Sequence, residues 1–246
     1  MISNLIIKNT KKLQTNKKKK LVLSILESGL KGGMPDTVLK KIIHKNKIIL
    51  KEKTYRLCDY DKIFVVSVGK AAFSMARSAC KYTRIDGGIV VVPKNVKYHE
   101  IAGFEILQSG HPIPNKKSVL AARSIISFLS SKDPKDLVIF LFSGGTSSLV
   151  ALPDGISLGQ KQVTTRILLK CGATIDEINC VRKHLSKIKG GRLAECVKCH
   201  GLSLIMSDVI GNDLYSVVSG ITYGDNTTFY DAKKILEKYH IQKLVP

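Results

Sequence analysis

Three short segments of this chain place glycines, hydroxyls and charges directly after an apolar run, where a strand end can meet a ligand. In the first, Leu137 to Phe142 break abruptly into Ser143-Gly144-Gly145-Thr146-Ser147-Ser148. Glycine admits dihedrals and close approaches that a Cβ forbids, and free backbone N–H groups of a tight turn suit an anion, above all a phosphate. A ligand-free turn into a helix has the same composition, so these residues alone leave the two readings even. The second is Ser67-Val-Gly69-Lys70-Ala-Ala. Its lysine would sit at a helix start, where the dipole disfavours a cation and an anionic ligand would justify one. On its own, a solvated surface lysine in a Lys-rich protein is the default reading. It is not a Walker A loop, because Phe64 and Ala71 stand where that loop needs Gly and Ser/Thr. The third, Ser207-Asp208-Val-Ile-Gly211-Asn212-Asp213, offers carboxylates that can hold Mg²⁺ or orient a hydroxyl, or simply cap a turn.

Between the second and third strand ends lies a basic block, Asn179 to Arg192, with Arg182, Lys183, Lys187, Lys189, Arg192 and His184, and Gly190-Gly191 just before the last arginine. Such a block can clamp a carboxylate or phosphate, against the default of a solvated basic helix. Cys196-Val-Lys-Cys199-His200 spells a haem-attachment pattern and half of a zinc site. No second closely spaced cysteine pair completes it, and ordinary packing at a helix end, capped by Gly201, is the expectation.

The elements that must position these residues alternate. Helices are expected over 18–31 and from Pro35 to about Lys45, followed by a charged connector over 51–61. Strands 63–68, 88–92, 104–108, 137–142 and 202–207 then alternate with helices 70–82, 115–131, 158–170, 174–187, 191–199 and 226–239. Continuous apolar strands separated by helices predict an α/β fold: a doubly wound, mainly parallel sheet with helices on both faces, Rossmann-like, with ligands at the carboxyl ends of the strands. A Lys-rich segment, 1–20, precedes one domain over 21–246.

Composition narrows the function classes. The net charge of +21 suggests a polyanion partner, yet residues 1–62 carry 16 Lys+Arg against 5 Asp+Glu, so about half the excess lies in the first quarter. Aromatics are 6% and Trp is absent, which supplies few stacking surfaces; no dedicated nucleic-acid site is expected. No apolar run approaches membrane-spanning length, and six cysteines without an export signal read as reduced thiols of a cytoplasmic protein.

Taken together and in order, SVGKAAFSMA, SGHPIP (109–114), LFSGGTSSL, INCVRKHLSKIKGGRLA, SDVIGNDL and SGITYGDNTTF resemble the glycerate 2-kinase family over roughly residues 20–245. The resemblance implies transfer of the ATP γ-phosphoryl group to the 2-hydroxyl of D-glycerate, with Mg²⁺, giving 2-phosphoglycerate. Lys70 matches the active-site lysine. Ser143, Gly144, Gly145, Thr146 and Ser147 match the phosphate loop, with Thr146 in place of a third glycine. Arg182, Lys189 and Arg192 match a basic block for the substrate, and Asp208 and Asp213 would serve the metal or the attacking hydroxyl. Asn212 and Ile221 replace an Asp and a Pro of many relatives. Some relatives carry a hydroxypyruvate reductase label; lacking a dinucleotide fingerprint, this chain ranks that reading second.

The resemblance also implies a smaller C-terminal domain that closes over the cleft and contributes an arginine, whereas this sequence stops at Pro246. The expectation is a truncated or split gene product, with a separate polypeptide supplying the rest, or else a catalytically inactive partner.

Overall fold

Five strands form a wholly parallel sheet in the computed structural model, which describes residues 5–51, 53–207, 211, 213–215 and 217–246. They are β4 (Ile63–Val68), β5 (Gly87–Pro93), β6 (Phe104–Ser109), β7 (Leu137–Ser143) and β8 (His200–Met206), in the spatial order β6-β5-β4-β7-β8. The chain therefore starts the sheet in the middle, builds outward one way through β5 and β6, then returns to the other side of β4 with β7. The crevice between β4 and β7 is the switch point where a doubly wound sheet offers its carboxyl ends to a ligand.

Alternation sorts the side chains of these strands into two cores. Val65, Ile139 and Leu141 pack with Leu39 of α3 (Pro35–Ile42) and with Met75, Ala76 and Ala79 of α4 (Ala72–Tyr82). Val66, Val68, Val138, Phe140 and Phe142 face the opposite way, onto Ala121, Ala122, Ile125 and Leu129 of α5 (Lys116–Ser130). With both faces covered, β7 is buried at all seven positions, which is why its sequence is an unbroken apolar run.

Several boundaries differ from expectation. The helix opened by Pro35 ends at Ile42, and the chain then forms an antiparallel three-stranded sheet, β1 (Ile43–His44), β2 (Lys47–Leu50) and β3 (Lys53–Arg56), where a connector was expected. Ile43 and Ile48, paired across it, are fully buried against the α4 core. No helix fills 191–199: only a 3₁₀ turn, Ala194–Cys196, precedes β8, which starts at His200 so that Gly201 is a strand residue and not a helix cap. Cys196 and Cys199 pack against the α5 core. A short α1 (Thr10–Leu13) precedes α2 (Lys17–Gly32), so Lys17 to Lys20 form the first turn of α2, capped by the Asn16 side chain. Among the described residues no helix is long and apolar enough to cross a membrane.

The long passage from β7 to β8 carries α6 (Thr146–Leu149), α7 (Leu158–Lys170) and α8 (Ile175–His184), and α9 (Phe229–Lys238) packs on α8 through Ile178, Val181 and Ala232. Glu177 ties the pair. Its carboxylate accepts from Lys238 Nζ and Tyr239 OH, each at 2.7 Å, and closes the capping box with Thr174 N at 2.8 Å. The Lys238 bond first, then Thr174 N and Tyr239, hold its pKa down at about 2. Because the folded pKa lies below the unfolded value, this contribution is complete above about pH 4.5 and is lost as pH falls toward 2. Urea unfolding followed between pH 5 and 2.5 is expected to show less loss of stability on acidification in Glu177→Gln than in the parent; equal slopes would remove the carboxylate from the tie.

Candidate functional site

The carboxyl ends of β4 and β7 are lashed to each other. Lys70 N donates to Gly144 O at 2.9 Å, Ala71 N to Ser143 Oγ at 3.0 Å, and the Thr146 hydroxyl lies 2.8 Å from Val68 O and 2.7 Å from Ser143 O. One layer deeper, Ser67 Oγ reaches Ala72 O at 2.8 Å and Leu141 O at 3.2 Å. Gly69, at φ +134°, permits this approach: a Cβ there would stand 2.7 Å from Ser143 O and 2.1 Å from Ser143 Oγ. Gly145, at φ +93°, has the His111 ring 2.9 Å from its would-be Cβ and Lys70 Cγ at 3.4 Å. The glycine turn thus lies between the stem of Lys70 and the imidazole of His111.

Lys70 is exposed and has no ion-pair partner among the described residues, so its ammonium is available at the mouth of the crevice. Burial first, and then the Lys70 charge, hold His111 below the usual imidazole range, which keeps the ring neutral at neutral pH. His111 belongs to the Ser109–Pro114 segment, anchored by Ser109 Oγ to Leu149 O at 2.7 Å and continuing through a cis His111–Pro112 peptide.

Beyond the turn the chain builds a second wall. Ser147 Oγ meets Ser219 Oγ at 2.8 Å, and Lys189 Nζ reaches Ser147 O at 3.1 Å and Ser219 Oγ at 3.4 Å. Ser219 sits at φ +56° beside Val218 at φ +48°. A β-branched residue in that region costs of order 1–2 kcal/mol, and its persistence beside a ligand crevice marks a constrained site. Gly190 and Gly191 donate their N–H groups to Ser219 O and Gly220 O at 3.3 and 2.7 Å, with φ of +63° and +86°. The buried Lys183–Asp225 ion pair at 3.0 Å closes the same loop, and Asp225 also accepts from Thr227 N and Oγ1.

Pro112, Ile113, Ser147, Lys161, Arg166 and Arg182 line a cleft of 440 Å³ between α7, α8 and the segment after β6. Arg182 contributes its guanidinium to that cleft. Arg192 does not: its Nη1 donates to Lys183 O at 2.9 Å and to Ser186 O, which caps the carboxyl end of α8. Lys161 caps the same end from α7, with Nζ donating to Arg182 O at 3.1 Å and to Leu185 O.

The structure therefore brings together Lys70, Ser143, Gly144, Gly145, Thr146, Ser147 and Lys189, with Arg182 across Ser147 and Arg192 behind α8. Asp208 and Asn212 lie outside the described residues. Asp213 accepts from Tyr215 N at 3.2 Å, the turn role open to a short acid. Among the described residues no group of three or more His, Cys, Asp or Glu converges to hold a metal. Sequence reasoning gave no role to His111, Lys161 or Ser219. His111 lies within the SGHPIP segment and Ser219 opens SGITYGDNTTF, whereas Lys161 carries no local signal.

A family profile described as "Domain of unknown function (DUF4147)" matches residues 21–246. The chain belongs to that family. It is 44% identical over 208 residues to the glycerate 2-kinase of Pyrococcus horikoshii, covering 83% of this chain and 46% of the relative. With the D-glycerate 2-kinase of Thermotoga maritima it shares 39% identity, covering 91% of this chain and 52% of the relative. A solved structure from Pyrococcus horikoshii superposes with a TM-score of 0.85 at 40% identity, covering 93% of this chain and 52% of that one. The chain spans about half the length of the curated relatives it matches.

The contact between Gly69 and Ser143 makes a sharp test of this geometry. Gly69→Ala is expected to destabilise the protein by about 2 kcal/mol or more, through backbone strain and a clash with a carbonyl that cannot move alone. Chemical denaturation measures it, and an unchanged midpoint would show that the two strand ends are not held as described.

Proposed function

We propose that this chain is the nucleotide- and acceptor-binding half of an ATP-dependent glycerate 2-kinase, which passes the γ-phosphoryl group to the 2-hydroxyl of D-glycerate. The observation that carries the reading is the convergence of Lys70 with the Ser143–Ser147 turn at the β4/β7 switch point. Phosphoryl transfer asks a protein mainly for positioning and charge neutralisation. The turn would offer the half-buried backbone of Gly144, Gly145, Ser147 and Ser148 to the phosphates, while the buried Ser143 and Thr146 hydroxyls hold its shape through Ala71 N, Val68 O and Ser143 O. Lys70 would supply a mobile positive charge where negative charge moves between donor and acceptor oxygens. His111 packs on Gly145 where a Cβ would stand, close to the Lys70 stem, and so supports the turn without competing for the lysine's charge.

The acceptor's carboxylate is assigned to Arg182 and Lys189, the cations nearest Ser147, with Arg192 positioning Arg182 by holding the end of α8. Mg²⁺ would neutralise the polyphosphate. Asp213 already serves Tyr215 N, and the described carboxylates do not form a metal cage, so no step is assigned to the ion.

A second reading is a protein that binds nucleotide without turning over. Release of ADP by the 246-residue chain in the presence of D-glycerate separates the two. The kinase reading expects turnover that falls by about a hundred-fold or more in Lys70→Ala. Equal rates in parent and variant would take the lysine out of the mechanism, and ATP binding with no turnover would favour the second reading.

A further inference from the structure

Positive charge is buried behind the cleft to a degree that the phosphate turn does not require. Lys161 and Lys189 are 5% and 1% exposed, and neither has a carboxylate within ion-pair distance among the described residues. Arg182 stands between them, half-buried and likewise without an ion pair, and Arg192 approaches from behind α8. Asp154 is the one carboxylate whose field favours the Lys161 charge, and it faces Lys187 at 3.8 Å. Two neutral acceptors hold each lysine among the described residues, which leaves an ammonium one acceptor short.

Unpaired buried charge of one sign is expensive, and a protein relieves it by shedding protons or by taking in a counter-ion. The cleft provides a route for the second. Lys161, Arg182 and Arg166 line it together with the hydroxyls of Ser147 and Ser148, between apolar lips at Ile113 and Leu169, both exposed. Lys161 lies on the buried stripe of α7, with Thr164 and Leu168, where an apolar residue would satisfy packing.

We propose that Lys161 and Arg182, backed by Lys189, form a receptor for the anionic group, carboxylate or phosphate, of the ligand seated in this cleft, and that Lys161 gains a proton when the anion docks. This deepens the kinase reading and rests on it for the choice of ligands. The empty protein is poised for such uptake. Burial first, then the charges of Arg182 and Arg192, bring Lys161 down to about 7, and burial, Arg182 and Lys161 likewise hold Lys189 well below its ordinary range. An anion beside Lys161 reverses the electrostatic part of that depression, so binding near pH 8 draws a proton from the buffer.

Calorimetric titration of the full chain at pH 8 with D-glycerate and, separately, with ATP, each in two buffers of different ionisation enthalpy, tests this. One of the two ligands is expected to bind with a buffer-dependent heat equivalent to uptake of up to one proton. Which one does so separates the carboxylate from the phosphate. Lys161→Arg, permanently charged, should retain binding of that ligand without the buffer dependence, and Lys161→Met should weaken it about ten-fold or more. Buffer-independent heats for both ligands, or uptake that persists in both variants, would overturn the receptor while leaving the kinase reading intact. Failure of both ligands to bind would overturn the two together.

Discussion

The crossing of two central strand ends, with Gly69 against Ser143, is the constraint on which the rest of the site depends. The register that pairs Val68 with Phe142 brings the two post-strand turns to one level, and the missing Cβ lets them touch. Once they touch, Ser143, the last residue of its strand, serves two neighbours: its hydroxyl accepts from Ala71 N and its carbonyl takes the Thr146 hydroxyl. Lys70 and Gly145 cannot then be far apart, since one backbone bond and one van der Waals contact join their segments. The position of Lys70 is thus a consequence of strand packing and needs no ion pair of its own.

A second constraint acts on the far side of Ser147, where the carboxyl end of α8 collects buried cations. Its last carbonyls point partial negative charge toward Lys161 and Arg192, the favourable end of the helix dipole for a cation. That arrangement satisfies the helix end without a glycine cap and aims Arg182 toward the cleft. The same helix is fixed to α9 by Glu177 and to the 219–225 loop through Lys183 and Asp225. Site loop, helix end and accessory helix are thereby held together, with Ser219 joined to Ser147 through their hydroxyls.

How much of this the sequence reveals follows from the range of the interactions involved. Strands β4 and β7 are legible because burial on both faces demands uninterrupted apolar runs, and the glycine turns because a positive φ demands glycine. Strands β1 to β3 are not, because Lys47-Ile-Ile-Leu and Lys53-Thr-Tyr-Arg are short, lysine-rich and held by a tertiary contact of Ile48. The expected helix over 191–199 fails because Gly190 and Gly191 are needed for contacts with the 219–224 loop, leaving a single tight turn before β8. Lys161, flanked by Gln160 and Gln162, reads as an ordinary exposed helix residue; only the packing of α7 on α8 buries it.

The distribution of charge separates what composition measures from what the site uses. Much of the basic excess comes from solvated lysines such as Lys17 to Lys20, in the first turn of a helix whose sole buried residue is Glu27. Solvated lysines interact weakly with anything at physiological ionic strength, because water and salt screen them. The cations beside Ser147 are few, but they are withdrawn from water, lack carboxylate partners and sit against carbonyls and hydroxyls. In that environment one added anion changes their energy far more than a whole run of surface lysines would. The net charge of +21 thus says little about the proposed anion receptor, which rests on how deeply Lys161, Arg182 and Lys189 are set and on what they face.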